Sequence, residues 1–422
     1  MSSSEKRFVT SAEKIHEYIE SICAIGPRVC GSDNDKKAAQ YCVGQFREMG
    51  LDVKTESFEV MVFQEKYARL RIVKPELKEL TCVSFLRSCS TPKGGIDCEV
   101  IYVGAGAEKD YEGKTVSGKL VFLEPPSGSA LEKPHIVTLI EIAKKHGSTG
   151  LIMASTTPGN VIGGWGGARF GTPIPAVSIS VEDSLYLREL LRKGSVTLSL
   201  VLETSLEKGT AQNVIAIHKG RKTPRELVLI TAHSDTLQNT VGANDNASGI
   251  AVVLEVARLV SKENTGRSIA FVIFSGEEGG CIGSSQYVEM NKEQLGNIRA
   301  MLNFDIVGVG NEMELIREGI RFPYGFPPGK KINPPKWLFE YMLSLAKELG
   351  YRVVTRPSFA CGDEGPFEDA GVPAISLFKG PNPIWHSDRD TLARCDVNCL
   401  KSIADIAATF AYRTSNDTLP NK

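Results

Sequence analysis

The chain lacks the features that would direct it to a membrane or a nucleic acid. No uninterrupted apolar run approaches the ~18 residues of a spanning helix. The most apolar helical stretch, Gly249 to Val260, is broken by Glu255 and Arg258. Met-Ser-Ser-Ser-Glu-Lys-Arg at the N-terminus leads into a charged amphipathic stretch rather than the apolar core of a secretion signal, so a cytoplasmic location is expected. Charge of one sign is missing as well. The 49 Lys and Arg against 50 Asp and Glu leave a net charge of −1 with the signs interspersed, which gives no footprint for nucleic acid or an acidic membrane surface. The ten cysteines contain no Cys-x-x-Cys pair; Cys395 and Cys399 stand four apart, but no neighbouring His or Cys completes a zinc site. Buried free thiols are expected, with disulfides the alternative in an exported or hyperthermophile protein.

What is present is the composition of an ordinary globular protein, 42% hydrophobic and 23% charged. At 422 residues the chain exceeds one small core, so two domains are expected. The 40 glycines point to many tight turns. From Ser11 to Met49 there are two helical patterns, then an alternating strand from Leu51 to Val60. Between Met61 and Ser205 short β-rich runs (Cys98 to Val103, Lys119 to Leu123, Val196 to Leu202) are separated by Gly, Pro and Ser turns. A helix from His135 to His146 precedes a strand from Gly150 to Ala154. This middle stretch holds no His–carboxylate cluster. From Ala211 onward strand and helix alternate, with strands apolar on both faces. That pattern predicts an α/β three-layer sandwich with a mostly parallel mixed sheet, plus a small β-rich insertion.

The polar residues fall at informative places. Leu227 to Ala232 ends in His233-Ser234-Asp235, Ile269 to Phe274 in Ser275-Gly276-Glu277-Glu278, and Met301 to Phe304 in Asp305. Three apolar strands therefore deliver imidazole or carboxylate at their C-terminal ends, the edge where open α/β sheets bind ligands. Any one of these residues could be a turn former or cap; three together are not readily explained that way. Asp235 is placed to accept the second N–H of His233 and fix its tautomer. Asp245, in Gly242-Ala243-Asn244-Asp245-Asn246-Ala247-Ser248-Gly249, is either a helix cap or a carboxylate shared by two cations. Glu277 and Glu278 leave a strand end in different directions, so one can bind metal while the other faces substrate and moves a proton. His386 lies in Trp385-His386-Ser387-Asp388-Arg389-Asp390-Thr391, after the apolar strand Ala374 to Phe378. Two imidazoles with three carboxylates suit Zn²⁺, with Co²⁺ or Mn²⁺ as alternatives, better than Mg²⁺ or Ca²⁺.

In order, His-x-Asp, Gly-x-x-Asp-Asn-x-Ser-Gly, Gly-Glu-Glu-x-Gly, Asn-x-Asp and His-Ser-x-x-Asp-Thr resemble the co-catalytic di-zinc aminopeptidase family of zinc exopeptidases. The likeness covers Ser11 to Val60 and Ala211 to Tyr412. It implies two Zn²⁺ per chain, one held by His233 and Asp305, the other by Glu278 and His386, with Asp245 bridging. Glu277 would be the general base and Asp235 the partner of His233. The implied activity is release of N-terminal residues from peptides. A carboxypeptidase, whose cationic pocket Arg356 or Arg389 could supply, and a glutaminyl-cyclase-like enzyme are alternatives on the same site; a non-catalytic binding protein is the rival from another class. The middle stretch resembles a protease-associated domain, which gives a discontinuous catalytic domain (1–60 and 206–422) and an insertion (61–205). In that reading the Gly-rich loop around Trp165 is a candidate substrate contact. Two positions depart from the commoner family pattern: Glu364, in Cys361-Gly362-Asp363-Glu364-Gly365-Pro366-Phe367, and Trp385 before the final His.

Overall fold

The computed structural model describes residues 5–125, 136–159, 171–310, 312–321, 330–359, 362–379 and 382–417. The chain opens with α1 (Ala12–Cys23) and α2 (Asp33–Glu48). Each begins at a serine whose hydroxyl accepts a backbone N–H three residues on, Ser11 from Lys14 and Ser32 from Asp35. Ile15, Tyr18, Ile19 and Ile22 form one buried stripe on α1. The strand expected from Leu51 to Val60 runs much further, as β1 (Asp52–Lys74).

A second lobe follows, built from β2 (Lys78–Leu80), β3 (Cys82–Ser84), β4 (Ile96–Tyr102), β5 (Leu120–Leu123), α3 (Ile136–Lys145), β6 (Gly150–Ala154), β7 (Ala176–Ile179) and α4 (Val181–Lys193). The chain returns along β8 (Thr197–His218), antiparallel to β1 from Lys74↔Thr197 to Asp52↔Ile217. In the lobe β4, β5, β6 and β7 are parallel neighbours. Alternate residues of β5 face opposite ways. Leu120 and Phe122 pack toward Leu187 of α4, Val121 and Leu123 toward Leu139 and Ile140 of α3. The lobe thus has its own two-sided core. The loop around Trp165 lies outside the described residues.

From there strand and helix alternate as expected: β9 (Thr223–His233), α5 (Ser248–Val260), β10 (Arg267–Phe274), α6 (Ile282–Met290), β11 (Ile298–Asp305), β12 (Met313–Arg321), β13 (Lys330–Ile332), α7 (Lys336–Glu348), β14 (Val353–Phe359), α8 (Glu364–Asp369), β15 (Ala374–Phe378) and α9 (Val397–Asn416). The central order is β12-β15-β11-β9-β10-β8. Neighbours among β15, β11, β9 and β10 are parallel, while β8 and β12 are antiparallel to theirs. Both faces are buried. Val228, Ile230 and Ala232 of β9 join a core with α1, α5, α7 and α9; Leu229 turns to a second core with Tyr287 and Phe367. This is the three-layer, mostly parallel arrangement that apolar strands between amphipathic helices require.

Candidate metal centre

The parallel register brings three strand ends level. His233 closes β9 opposite Phe274 of β10, and Asp305 closes β11 opposite Phe378 of β15. Glu277 and Glu278 follow β10 after Gly276, whose φ of 88° turns the chain at once. Asp245 reaches the same place from the distorted turn Ala243–Ala247 that leads into α5. Gly242 (φ 55°) permits that turn, because a Cβ there would lie 2.1 Å from the Asp245 carbonyl oxygen. His386 enters from the loop after β15, itself at φ 57°.

Two donor sets result. His233, Asp245 and Asp305 offer one set of ligand atoms within 4.8 Å of one another; Asp245, Glu278 and His386 offer a second. Asp245 belongs to both. Its Oδ1 is 3.3 Å from His233 Nε2 and its Oδ2 is 3.3 Å from His386 Nε2. Asp305 Oδ1 stands 3.3 Å from His233 Nε2, and Glu278 Oε2 3.1 Å from His386 Nε2. The Asp245 carboxylate points between the two imidazoles and does not cap α5, which has no side-chain cap. Glu277 Oε2 lies 4.0 Å from His233 Nε2, beside the first set and outside both.

All of these groups are buried, and their electrostatics show what that costs. Burial pushes the carboxyls of Glu277, Glu278 and Asp305 up, against the pull of the imidazoles. Burial works against the His386 cation, but Glu278 and Asp245 outweigh it and hold the imidazole up at about 10. His233 is raised well above its usual value in the same way, chiefly by Asp305. Concentrated acid with imidazole, out of water, is the chemistry of a divalent-cation site, and the residues fit one.

Asp235 does more than the sequence suggested. His233 Nδ1 is 3.2 Å from the Asp235 carbonyl oxygen and 3.5 Å from its carboxylate. That carboxylate also accepts the backbone N–H groups of Glu277 (3.0 Å) and Glu278 (3.2 Å), so one residue orients the imidazole and the acid pair together. Sequence reasoning missed two supports. Asp390 accepts the N–H groups of Asn244 (2.7 Å) and Asp245 (2.9 Å). The fully buried Arg28 donates to the carbonyls of Ser234 (2.8 Å) and Val241 (2.7 Å). Asp390 sits in the same short motif as His386, which was the available signal; Arg28 had none beyond its Gly-Pro-Arg turn. Glu364 is buried and accepts from Asn303 Nδ2 at 3.2 Å. Trp385 stacks on His386 with ring centroids 3.8 Å apart. Arg356 pairs with Glu314 away from the centre, while Arg389 lies against Gly159 of the second lobe.

A pair of buried donor sets sharing one carboxylate, at the C-terminal edge of a parallel sheet, with an extra glutamate alongside, defines a metal-dependent hydrolase. Residues 213–411 match Peptidase family M28, a span that holds the whole candidate metal centre, and the protein is a metallopeptidase. Aminopeptidase YwaD of Bacillus subtilis (strain 168) is 25% identical, over 98% of this chain and 87% of its own. Carboxypeptidase Q of Xenopus laevis is 27% identical, over 95% of this chain and 85% of its own. Among solved structures, an aminopeptidase from Aneurinibacillus sp. strain AM-1 aligns with a TM-score of 0.72 at 26% identity, covering 97% of this chain and 95% of that one.

Proposed function

We propose that the protein is an aminopeptidase that binds two zinc ions per chain and removes N-terminal residues from peptides. The observation that carries this reading is the placement of Asp245 between two imidazoles, each with its own further carboxylate. Bound zinc supplies Lewis acidity toward a carbonyl oxygen and lowers the pKa of a water in the cleft. Glu277, outside both donor sets, takes the proton from that water and returns it to the leaving amine. Asp235 fixes the direction of both the imidazole and the glutamates. The excess of acid supports recognition of a substrate ammonium. A carboxylate would require a cation, and Arg356, one of the two candidates for it, is engaged by Glu314.

The second lobe supports a discontinuous catalytic domain (1–60 and 206–422) with a protease-associated domain inserted at 61–205, its Arg389 contact setting it beside the His386 loop. The free state of the nine described cysteines supports a cytoplasmic location.

The test pairs metal analysis with hydrolysis of an aminoacyl-anilide panel. About two zinc per chain, with turnover of anilides bearing a free amino group and none of N-blocked ones, is the expected result. Metal without such turnover, but with release of C-terminal residues, would replace this reading with the carboxypeptidase one.

A further inference from the structure

Away from the metal centre, one contact is too short for the pair that makes it. Lys379 Nζ stands 2.6 Å from Cys399 Sγ. An N–H···O bond is about 2.7–3.2 Å long, and sulfur is the larger atom. Both residues are buried, Lys379 at 8% exposure and Cys399 at 4%. Lys379 follows the last strand, and its Nζ also donates to the Gly310 carbonyl at 3.1 Å. Cys399 lies in the first turn of α9, where Asp396 accepts its N–H and that of Asn398. Burial raises the Cys399 thiol, and the adjacent lysine opposes only part of that rise. Neither residue has a part in the metal centre.

We propose that Lys379 and Cys399 form a modification site, in which oxidation by a peroxide joins them through one oxygen atom as Nζ–O–Sγ. A direct N–S bond would need the atoms much closer, and a plain contact would leave them further apart. A single bent oxygen fits the observed gap. In the reaction the S–H bond and one N–H bond of the neutral amine break, and an S–O and an N–O bond form. Sulfur and nitrogen each give up two electrons. Two peroxide molecules take all four; one of their oxygens stays in the bridge and the other three leave as water.

The bridge closes residues 379–399 into a covalent ring. His386 and Asp390 both lie inside it, so the redox state of this pair constrains the loop that brings a ligand and a backbone anchor to the metal centre. Cross-linking a loop also restricts the unfolded chain.

The test treats the full-length protein with hydrogen peroxide, digests it with trypsin and maps the peptides by mass spectrometry. Cleavage after Lys379 should be lost. The peptide Val353–Arg389, kept whole at Arg356 by Pro357, should appear joined to Cys395–Lys401 with one oxygen more and two hydrogens fewer than their sum. Dithiothreitol should restore the separate peptides, and the treated protein should show a raised Tm that the same reductant abolishes. Lys379→Arg and Cys399→Ser should each abolish the joined species, and Cys395→Ser should leave it. Cys399 recovered as sulfinic or sulfonic acid with normal cleavage after Lys379 would overturn the proposal. So would a joined species without the added oxygen, or one that depends on Cys395.

Discussion

The two lobes are built alike and loaded differently. Each has parallel strands covered by helices on both faces, and each ends a strand at a carboxylate. In the second lobe that carboxylate is Glu124, just after β5. It accepts from Tyr102 Oη at 2.8 Å and pairs with Arg188 of α4 at 2.8 Å. Its charge is met from within the chain. In the catalytic lobe Asp245, Glu278 and Asp305 meet imidazoles instead, and Glu277 and Asp363 add further acid nearby. Burial lifts Asp363 to about 7 despite His233 and Ser284. A strand end supplies position only. What separates a site from a structural turn here is acid that the chain leaves for a cation from outside.

Four measurements would break or sharpen that contrast. The largest effect is expected from Glu277→Gln, which keeps the shape and removes the proton acceptor. Anilide turnover should fall about 10²–10⁴-fold with metal content unchanged; loss of metal as well would move Glu277 into the ligand set. Next is Phe122→Ala in the second-lobe core, expected to cost about 3–5 kcal/mol in denaturant unfolding while the purified protein keeps its metal. Metal loss there would mean that the two lobes do not hold their roles separately. Asp390→Asn weakens the anchor of the Asp245 turn, and metal affinity measured by competition with a chelator should fall about 10–100-fold. The smallest effect belongs to Arg188→Gln. Its ion pair with Glu124 is partly exposed, so thermal unfolding should register less than about 1 kcal/mol.

Much of the catalytic lobe was legible in the sequence because its signals are local. β15 occupies the expected Ala374 to Phe378, and β9, β10 and β11 differ from expectation by a few terminal residues. The five candidate ligands converge because each follows an apolar strand or a Gly-rich turn. What was not legible depends on partners far along the chain. Asp390 anchors Asp245 across 145 residues and Arg28 grips Ser234 across 206, and no periodicity records such pairs. β1 was cut short at Val60 because the apolar–polar alternation breaks at Met61-Val62-Phe63; its partner β8 holds it extended to Lys74. α4 was missed although Ser180 caps it from the Asp183 N–H at 3.0 Å, since its mixed Glu, Arg and Leu pattern is weakly amphipathic. The extra acid Glu364 is occupied by Asn303.

The pairing of β1 with β8 has a consequence for how such a protein can be assembled from parts. The chain leaves for the second lobe and comes back on adjacent, hydrogen-bonded strands, with Val60 opposite Gly209 and Met61 opposite Lys208. Topologically, everything between them is the tip of a hairpin. A short turn could replace all of it, or another module could be grafted there, without any strand of the metal-bearing sheet changing its neighbours.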